Sequence, residues 1–514
     1  MSRKQRTLIA IALALALIGY RQLHAPAKDA AKPAAHAAAA SAPARMLGRI
    51  AFHPCTLAPQ FGQMSVEAQC GTLSVAEDPA KPQGRRIALN IAWVPADDQG
   101  ELQPDPVFMI AGGPGQASTE SYPQVAPAFA DVLKKRHVLL VDQRGTGKSN
   151  PLRCSDDAAG EDDSAAVHDS IAAARAAAER CRDALSKQAD LRFYTTTDAI
   201  RDLDAVRVAI GADKINLMGV SYGTRVAQQY AMRYPQHTRS IVLDSVAPNA
   251  IHLGNDFARN LESALDLQFG RCGKEASCAS KLGDPRQRLD ALMATLRSDP
   301  PRVRYRDAST GQMHEEVLQP GHVAGLARMY AYAPLAAAIL PLQLKEASEG
   351  RYEGLMALAK MLGSSVSEQM MYGMQLSVIC TEDADGLRGD EAMSNSLLGN
   401  MLVDTIKAQC EVWPKGVRPA DFHKPLATKV PALLLSGELD PVTPPAYADS
   451  VAKTLPNGRA LVLRGQGHNV IGAGCMPKLF ARFIDTADAK ALDAKCLDSL
   501  SYTPPFTSFN GWDP

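Results

Sequence analysis

Short apolar runs alternate with amphipathic stretches in the first half of the chain. The runs at 106–110, 137–141 and 239–243 are mostly apolar, which is typical of strands buried on both faces of a parallel sheet. Residues 70–79 and 86–94 predict two further strands joined by a Pro/Gly turn. Residues at helical spacing separate the apolar runs. The pattern predicts an α/β protein with a mostly parallel sheet covered by helices on both faces.

The rhythm changes in the middle of the chain and then returns. From about residue 245 the stretches are mostly helical, and strand-like runs resume at 430–435 and 460–463. We therefore predict an inserted helical cap at 245–425. The α/β core is then formed by a first part at 45–244 and by a second part with the C-terminal region at 426–514.

The N-terminal residues have the pattern of an export signal. A basic start at 2–6 precedes an uncharged apolar run at 7–19, which is shorter than the ~20 residues that a membrane span needs. Residues 1–24 are predicted to be a signal peptide or a signal anchor, and the Ala/Pro-rich residues 25–44 a linker. Cleavage of this segment and its retention as a membrane tether both stay open.

Residues 219–223 form a G-x-S-x-G pattern with Ser221 at its centre. A strand-like run precedes the pattern, and residues at helical spacing follow it as far as Pro235. A serine at such a strand-to-helix turn projects its hydroxyl at the sheet edge, and the glycines prevent collisions with neighbouring backbone. Ser221 is therefore the predicted nucleophile.

A serine hydroxyl needs a base, and the base needs an orienting acid. In proteins with this turn the order along the chain is serine, acid, histidine. Asp440 follows the first late strand and His468 follows the second, at strand ends where open α/β sheets carry their chemistry. We predict that His468 is the general base and acid and that Asp440 orients it. Asp244 and Glu438 are rival orienting acids.

The glycine-rich run at 111–115 leaves a strand and enters a loop. Glycines expose backbone N–H groups and let a substrate oxygen approach. Gly113 is therefore predicted to be one donor of an oxyanion hole, with Gly112 as the alternative, and the N–H of Tyr222 is predicted to be the other. A tight turn alone is the competing interpretation.

Composition and motifs argue against several other classes. Lys plus Arg and Asp plus Glu number 55 each, so the basic footprint of a nucleic-acid-binding protein is missing. The run at 145–149 lacks the first glycine of a P-loop and the last glycine of a dinucleotide fingerprint. The sequence has no H-E-x-x-H motif and no Cys/His set with zinc spacing, so neither a metal nor a cofactor is predicted.

The ten cysteines fall into couples that are close in the sequence. These couples are Cys55/Cys70, Cys154/Cys181, Cys272/Cys278, Cys380/Cys410 and Cys475/Cys496. The pattern predicts five local disulfides in an oxidising compartment, and therefore a periplasmic or secreted protein. The alternative is a set of scattered buried thiols.

Several runs together resemble one family. They are the Gly-Gly-Pro-Gly at 112–115, D-Q-R-G-T-G-K-S at 142–149, the serine turn, D-P-V-T-P at 440–444 and G-Q-G-H at 465–468. They are similar to those of α/β-hydrolase serine peptidases, in particular the proline iminopeptidases and the secreted tripeptidyl aminopeptidases. Ala111 stands where proline iminopeptidases usually have histidine, which favours the tripeptidyl branch.

The resemblance implies an α/β-hydrolase fold and hydrolysis of peptide bonds near a free N-terminus, with a peptide as partner. Recognition of the α-ammonium group calls for carboxylates from the cap, for which Glu382 and Asp383 are candidates. A solvated acidic loop is the alternative for those two residues. A carboxylesterase with the same catalytic residues is the nearest alternative function. A non-catalytic binding protein on this scaffold is disfavoured because all three residue types occur in the expected order.

Overall fold

The computed structural model describes most of the chain from residue 44 onwards. The described residues are 44–58, 64–97, 102–154, 167–308 and 310–512, with only the backbone described at 167–170 and 363–369. The predicted signal segment 1–24 and the predicted linker 25–44, apart from Ala44, lie outside the described residues.

A mixed sheet with ten strands in the described residues forms the centre of the protein. The strands of the structure are β1 (Arg45–Leu47), β2 (Ile50–Leu57), β3 (Val66–Ala76), β4 (Arg86–Val94), β5 (Val107–Ile110), β6 (Val138–Val141), β7 (Ile215–Val220), β8 (Thr238–Asp244), β9 (Arg302–Arg306), β10 (Met313–Val317), β11 (Ala432–Gly437) and β12 (Gly458–Leu463). Ten of these strands form the central sheet, in the order β1-β2-β3-β4-β6-β5-β7-β8-β11-β12, and β9 pairs with β10 separately. The pairs from β1 to β4 and the pair β4–β6 are antiparallel, and the pairs from β6 to β12 are parallel.

Helices cover this sheet and fill the region between β8 and β11. They are α1 (Ser118–Val125), α2 (Ala130–Leu133), α3 (Val167–Leu185), α4 (Thr196–Ile210), α5 (Tyr222–Arg233), α6 (Phe257–Lys274), α7 (Ala276–Leu282), α8 (Pro285–Ser298), α9 (Pro320–Ala331), α10 (Pro334–Ala337), α11 (Leu340–Ser348), α12 (Glu353–Gln369), α13 (Tyr372–Glu382), α14 (Met401–Val412), α15 (Pro445–Ala452) and α16 (Met476–Thr486). Helix α4 illustrates how local sequence sets such bounds. Thr195 and Asp198 form a capping box at its start, and Gly211 ends it with a φ of 79°.

The parallel strands are buried on both faces, as their apolar runs predict. Leu217 on β7 lies in one apolar cluster and Met218 lies in the other, because successive side chains of a strand point to opposite faces. Val226 of α5 packs in the first cluster, and Phe480 of α16 packs in the second. The predicted α/β architecture, a mostly parallel sheet with helices on both faces, is confirmed.

The predicted cap region contains helices α6 to α14 and an apolar cluster of its own. Leu265 and Leu344 are fully buried in that cluster. The region also contains β9 and β10, which pair as an antiparallel hairpin. The sequence pattern did not indicate this hairpin, since its strands are short and rich in charged residues. The bounds of the cap at 245–425 and of the core at 45–244 and 426–514 stay predictions.

The cysteines form the five couples that their spacing predicts. The disulfides are Cys55–Cys70, Cys154–Cys181, Cys272–Cys278, Cys380–Cys410 and Cys475–Cys496. This many disulfides is typical of an exported protein, because thiols stay reduced in the cytosol of most organisms. Among the described residues, none of the helices combines the length and the apolar character that crossing a membrane requires.

Candidate active site

The predicted nucleophile lies at a sharp turn between β7 and α5. Ser221 has a φ of 55° and a ψ of −122°, a conformation that residues other than glycine rarely adopt. A Cβ on Gly219 would lie 2.3 Å from the Gly223 carbonyl oxygen, and a Cβ on Gly223 would lie 2.4 Å from the Ile110 carbonyl oxygen. Backbone packing therefore requires glycine on both sides of the serine.

The glycine-rich loop after β5 lies against this serine. A Cβ on Gly112 would be 3.0 Å from the Cβ of Ser221, and Gly113 follows directly in the chain. The side chain of Met370, from the cap, lies over Gly113, since a Cβ there would be 3.3 Å from the Met370 methyl group. Tyr222 is the first residue of α5, where backbone N–H groups have no partner within the helix. The role of Gly113 and Tyr222 as oxyanion donors stays a prediction.

Asp440 and His468 meet at the carboxyl ends of β11 and β12. Asp440 Oδ2 lies 2.8 Å from His468 Nδ1. The other oxygen of Asp440 accepts hydrogen bonds from the N–H groups of Val442 and Thr443, at 2.9 Å and 2.8 Å. The Asp440 side chain is fully buried, and that of His468 is 10% exposed. With Nδ1 turned towards the acid, Nε2 is the ring nitrogen that can act as a base.

Burial and charge act in opposite directions on this pair. Burial by itself would raise the pKa of Asp440, but His468 and the neighbouring amides lower it below its ordinary value. Burial by itself would lower the pKa of His468, but Asp440 raises it above its ordinary value. The surroundings of the pair therefore favour an imidazolium next to a carboxylate, which is the charge state that proton abstraction from a serine creates.

Asp244, the first rival acid, contacts backbone amides near the histidine. Its carboxylate accepts hydrogen bonds from the N–H groups of Val470 and Ile471, each at 2.9 Å. Its carbonyl oxygen accepts the N–H of Ser221, also at 2.9 Å. Burial raises the pKa of Asp244 to about 6. Asp244 thus connects the serine turn with the loop that carries His468, while Asp440 contacts the imidazole.

Glu438, the second rival, also has other partners. One carboxylate oxygen accepts the N–H of Gly465 at 2.9 Å, and the other accepts the hydroxyl of Tyr502 at 2.8 Å. Glu438 and Gly465 belong to the loops that carry Asp440 and His468. This carboxylate therefore joins the two loops to each other and to the C-terminal segment.

Hydrogen bonds of neighbouring residues connect the turn that carries Ser221 with the loop that carries His468. Besides the contacts of Asp244, the Ser245 hydroxyl accepts the N–H of Asn469 at 2.8 Å. The hydrogen bonds of the described residues do not include one between the Ser221 hydroxyl and the His468 imidazole. Catalytic hydrogen bonds often tighten only when substrate is bound. The pairing of this serine with this histidine stays a prediction.

The two carboxylates predicted to bind a substrate ammonium group are engaged within the chain. Glu382 accepts hydrogen bonds from the N–H and the hydroxyl of Thr196, at 2.6 Å and 2.8 Å. Burial raises the pKa of Glu382 to about 8. Asp383 forms a fully buried ion pair with Arg225 of α5, at 2.9 Å. Neither residue lies in a solvated acidic loop, which was the alternative, and their predicted role in binding substrate stays a prediction.

One group of side chains has the composition of a metal site. His252, Asp383 and His423 place one ligand atom each within 4.8 Å of one another. However, Asp383 already pairs with Arg225. The two ring nitrogens of His423 lie 2.7 Å from the Asn249 carbonyl oxygen and 2.8 Å from the Glu382 carbonyl oxygen. A cation would have to displace these partners, so the group fits a buried polar cluster better than a metal site.

The run at 142–149 wraps around the carboxylate of its own first residue. Asp142 is fully buried and accepts hydrogen bonds from Asn90 at 2.8 Å and from the N–H of Thr119 at 2.9 Å. The N–H of Lys148 also donates to it, at 3.3 Å. Thr119 belongs to α1, which follows the glycine-rich loop. The run therefore supports the loop next to Ser221.

Sequence reasoning missed Tyr332, a cap residue that contacts His468. The carbonyl oxygen of Tyr332 accepts a hydrogen bond from the backbone N–H of His468, at 2.8 Å. The two rings meet edge to face with their centres 5.0 Å apart. Tyr332 lies in the turn between α9 and α10, where the sequence has no motif, so only the docking of the cap onto the sheet reveals this contact.

Two protein families match this chain. A family described as alpha/beta hydrolase fold matches residues 105–281, and a family described as TAP-like protein matches residues 395–496. The first match contains Ser221, and the second contains Asp440 and His468.

The proteins that are similar to this chain include a serine protease, a tripeptidyl aminopeptidase and a carboxylesterase. Serine protease Hip1 of Mycobacterium tuberculosis (strain ATCC 25618 / H37Rv) is 26% identical over 485 residues, covering 87% of this chain and 91% of that protein. Tripeptidyl aminopeptidase of Streptomyces lividans is 30% identical over 192 residues, or 35% of each chain. Carboxylesterase B of the same M. tuberculosis strain is 32% identical over 272 residues, covering 48% of this chain and 51% of that protein.

Proposed function

Since this chain belongs to the α/β-hydrolase serine peptidases, we propose that it is an exported aminopeptidase that releases short peptides from a free N-terminus. Ser221 is the nucleophile, His468 is the general base and acid, and Asp440 orients the imidazole. The hydrogen bond of 2.8 Å between Asp440 and His468, at the same sheet edge as the serine turn, is the observation that carries this assignment.

The reaction follows from these roles. The Ser221 oxygen attacks the scissile carbonyl carbon while Nε2 of His468 takes the hydroxyl proton. The N–H groups of Gly113 and Tyr222 donate hydrogen bonds to the negative oxygen of the tetrahedral intermediate. His468 then gives its proton to the leaving amine, and an acyl-enzyme remains on Ser221. A water molecule, deprotonated by His468, hydrolyses that ester and restores the serine.

The nature of the released peptide is proposed from one relative. The Streptomyces lividans protein is named a tripeptidyl aminopeptidase, and we extend that substrate class to this chain. Hydrolysis of tripeptidyl amides should be compared with hydrolysis of their N-acetylated forms, with Ser221→Ala as the control. Strong loss on N-acetylation is expected, because an aminopeptidase binds the free α-ammonium group. Equal rates on both forms would overturn the aminopeptidase proposal.

A fluorophosphonate probe tests the catalytic machinery separately from the substrate. The probe should label the folded protein at Ser221 and should not label Ser221→Ala or heat-unfolded protein. Peptide mapping of the adduct identifies the modified residue. Absence of labelling in folded protein would contradict the proposed catalytic role and favour a binding protein on this scaffold.

A carboxylesterase is the second candidate, because Carboxylesterase B is one of the similar proteins. The same acyl-enzyme chemistry hydrolyses esters. Short-chain esters and tripeptidyl amides should be compared by kcat/KM on the same preparation. A higher kcat/KM for esters than for every amide tested would favour this second candidate.

We propose further that the protein acts in the periplasm or outside the cell. The five disulfides and the apolar run at 7–19 support this location. Mass spectrometry of the N-terminus of the native protein distinguishes a cleaved signal from a retained membrane tether. Recovery of the active protein in the cytosol with reduced thiols would contradict the proposal.

A further inference from the structure

A positive side chain of the cap, Arg328, lies on the helix that ends next to a contact with the proposed catalytic histidine. Arg328 lies on α9, and Tyr332 follows the last residue of that helix with helical backbone angles, so the two residues, four positions apart, lie on the same side. Tyr332 contacts His468 through its ring and through its carbonyl oxygen. Docking of the cap therefore brings this side of α9 to the active site.

The positive charge of Arg328 affects the pKa of three groups, those of Tyr332, Tyr372 and His468. Burial raises the pKa of Tyr332, and the Arg328 guanidinium opposes that rise. Burial likewise raises the pKa of Tyr372, again opposed by Arg328. The guanidinium also opposes the effect of Asp440 on the pKa of His468. Two of these groups belong to the cap, and the third, His468, belongs to the sheet edge.

Arg328 has no carboxylate partner in the part of the chain that the structure describes. Its guanidinium lies over the ring of Phe257, with 5.4 Å between the guanidinium carbon and the ring centre. Other arginines of the cap do have acidic partners: Arg259 with Asp390, Arg286 with Glu262, and Arg302 with Glu315. A guanidinium held against an aromatic ring is well oriented to receive a carboxylate, with which it forms paired hydrogen bonds.

We propose that Arg328 binds a carboxylate of the substrate, so that the enzyme prefers short peptides with a negative charge near the scissile bond. This inference rests on the proposed function of the same site. The carboxylate has two chemical sources: the free C-terminus of a short leaving peptide, or an Asp or Glu side chain of the substrate. In either case the negative charge is held close to the imidazolium that forms during the reaction.

Matched peptide pairs test this inference and separate the two sources. One pair differs only in a C-terminal carboxylate against a C-terminal amide, and the other only in Glu against Gln beside the scissile bond. The unaltered enzyme should prefer the charged member of one pair by about tenfold or more in kcat/KM, as expected for a charge-assisted hydrogen bond. Arg328→Gln should lose this preference, and Arg328→Lys should keep part of it.

Arg302→Gln is the matched control, because it removes a cap arginine that is 65% exposed and paired with Glu315 at 3.1 Å. It should leave both ratios unchanged. Thermal unfolding of each variant checks that the cap remains folded. Equal preference in the unaltered enzyme and in Arg328→Gln would overturn the inference, as would the absence of a charge preference in both peptide pairs.

Binding of the same peptides to Ser221→Ala by calorimetry separates this inference from the proposed function. If the unaltered enzyme hydrolyses none of the peptides but Ser221→Ala binds the charged members more tightly, the aminopeptidase proposal fails and the assignment of Arg328 stands. If hydrolysis occurs without any charge preference, the aminopeptidase proposal stands and the assignment of Arg328 fails.

Discussion

The carboxyl ends of β8 and β11 together hold two buried carboxylates, and so does the end of helix α13 in the cap region, but the partners of the two pairs differ. At the sheet edge, Asp440 contacts the imidazole of His468, and Asp244 accepts hydrogen bonds from backbone amides of the loop that carries His468. At the end of α13, Glu382 accepts hydrogen bonds from the backbone N–H and the hydroxyl of Thr196, and Asp383 forms an ion pair with Arg225. Burial is similar in the two regions, so burial does not identify a catalytic acid.

The partners explain the difference. Parallel strands end side by side, so polar residues after β8, β11 and β12 converge at one edge of the sheet. The end of α13 instead docks back onto α4 and α5 of the core, where Thr196 and Arg225 meet its carboxylates. We therefore expect changes at the sheet edge to alter catalysis, and changes at the end of α13 to alter stability. Four predictions test this contrast, beginning with the largest expected effect.

Asp440→Asn should reduce kcat by about ten-thousandfold, because an amide cannot hold the imidazole in the required tautomer or stabilise the imidazolium. Asp440 raises the pKa of His468. The acid limb of the kcat/KM profile should therefore lie at lower pH in the variant, since His468 must be neutral to act as base. Steady-state kinetics across pH measure both effects. A loss below tenfold would contradict the assignment of Asp440.

Asp383→Asn should lower the free energy of unfolding by about 3–5 kcal/mol, because it leaves the buried Arg225 charge without its carboxylate partner. Urea unfolding measures this change. Asp385→Asn is a matched control, since it breaks the ion pair of Asp385 with Arg418, in which the Asp385 side chain is 65% exposed, and should cost less than about 1 kcal/mol. Loss of activity with unchanged stability in Asp383→Asn would instead support the predicted role in binding the substrate ammonium group.

Glu382→Gln should change how stability depends on pH. The pKa of Glu382 is raised to about 8 from an ordinary value of 4.5. Between these values the folded protein holds a proton that the unfolded chain has lost, so this group's contribution to stability is greatest below 4.5 and is lost as pH rises to 8. Glutamine does not titrate, so the variant should gain stability relative to the unaltered protein by up to about 1.4 kcal/mol per pH unit in that window.

Denaturant unfolding of both proteins across this pH range tests the prediction for Glu382. Parallel pH profiles for the two proteins would show that Glu382 does not titrate there. Glutamine is nearly isosteric with a protonated glutamate: its oxygen can accept the Thr196 N–H, and its NH2 group can donate to the Thr196 hydroxyl oxygen. A loss of activity in this variant without a change in the stability profile would favour the ammonium-binding role predicted for Glu382.

Asp244→Asn should reduce kcat/KM by about tenfold, less than Asp440→Asn, because an amide oxygen can still accept part of the hydrogen bonds from Val470 and Ile471. The effect acts through the position of His468, so it should fall mainly on kcat and leave KM nearly unchanged. A loss as large as that of Asp440→Asn would identify Asp244 as a second acid required for catalysis.

Much of the fold and part of the site could be predicted from local sequence. The apolar runs predicted the parallel strands, and spacing predicted the five disulfides. The G-x-S-x-G pattern predicted the turn at Ser221, because close backbone packing excludes other residues at Gly219 and Gly223. The resemblance to α/β-hydrolase peptidases is confirmed by the matching families. Each of these features depends on residues close to one another in the chain.

Other features depend on contacts between distant parts of the chain. The sequence offered Asp440, Asp244 and Glu438 as acids, and only the register of β8, β11 and β12 decided that Asp440 contacts His468. The contact of Tyr332 with His468 has no local signal, because it depends on how the cap docks onto the sheet.

The sequence by itself determined the sheet, the serine turn and the set of residues available for chemistry, since backbone sterics and hydrophobic spacing act over a few residues. Only the tertiary structure decided which acid meets the imidazole and which acids support the fold. It also decided that Tyr332 of the cap contacts the imidazole of His468. The partner of a buried charge is chosen by packing between separate segments, which are 28 residues apart for Asp440 and His468 and 158 residues apart for Arg225 and Asp383, and no local pattern records that packing.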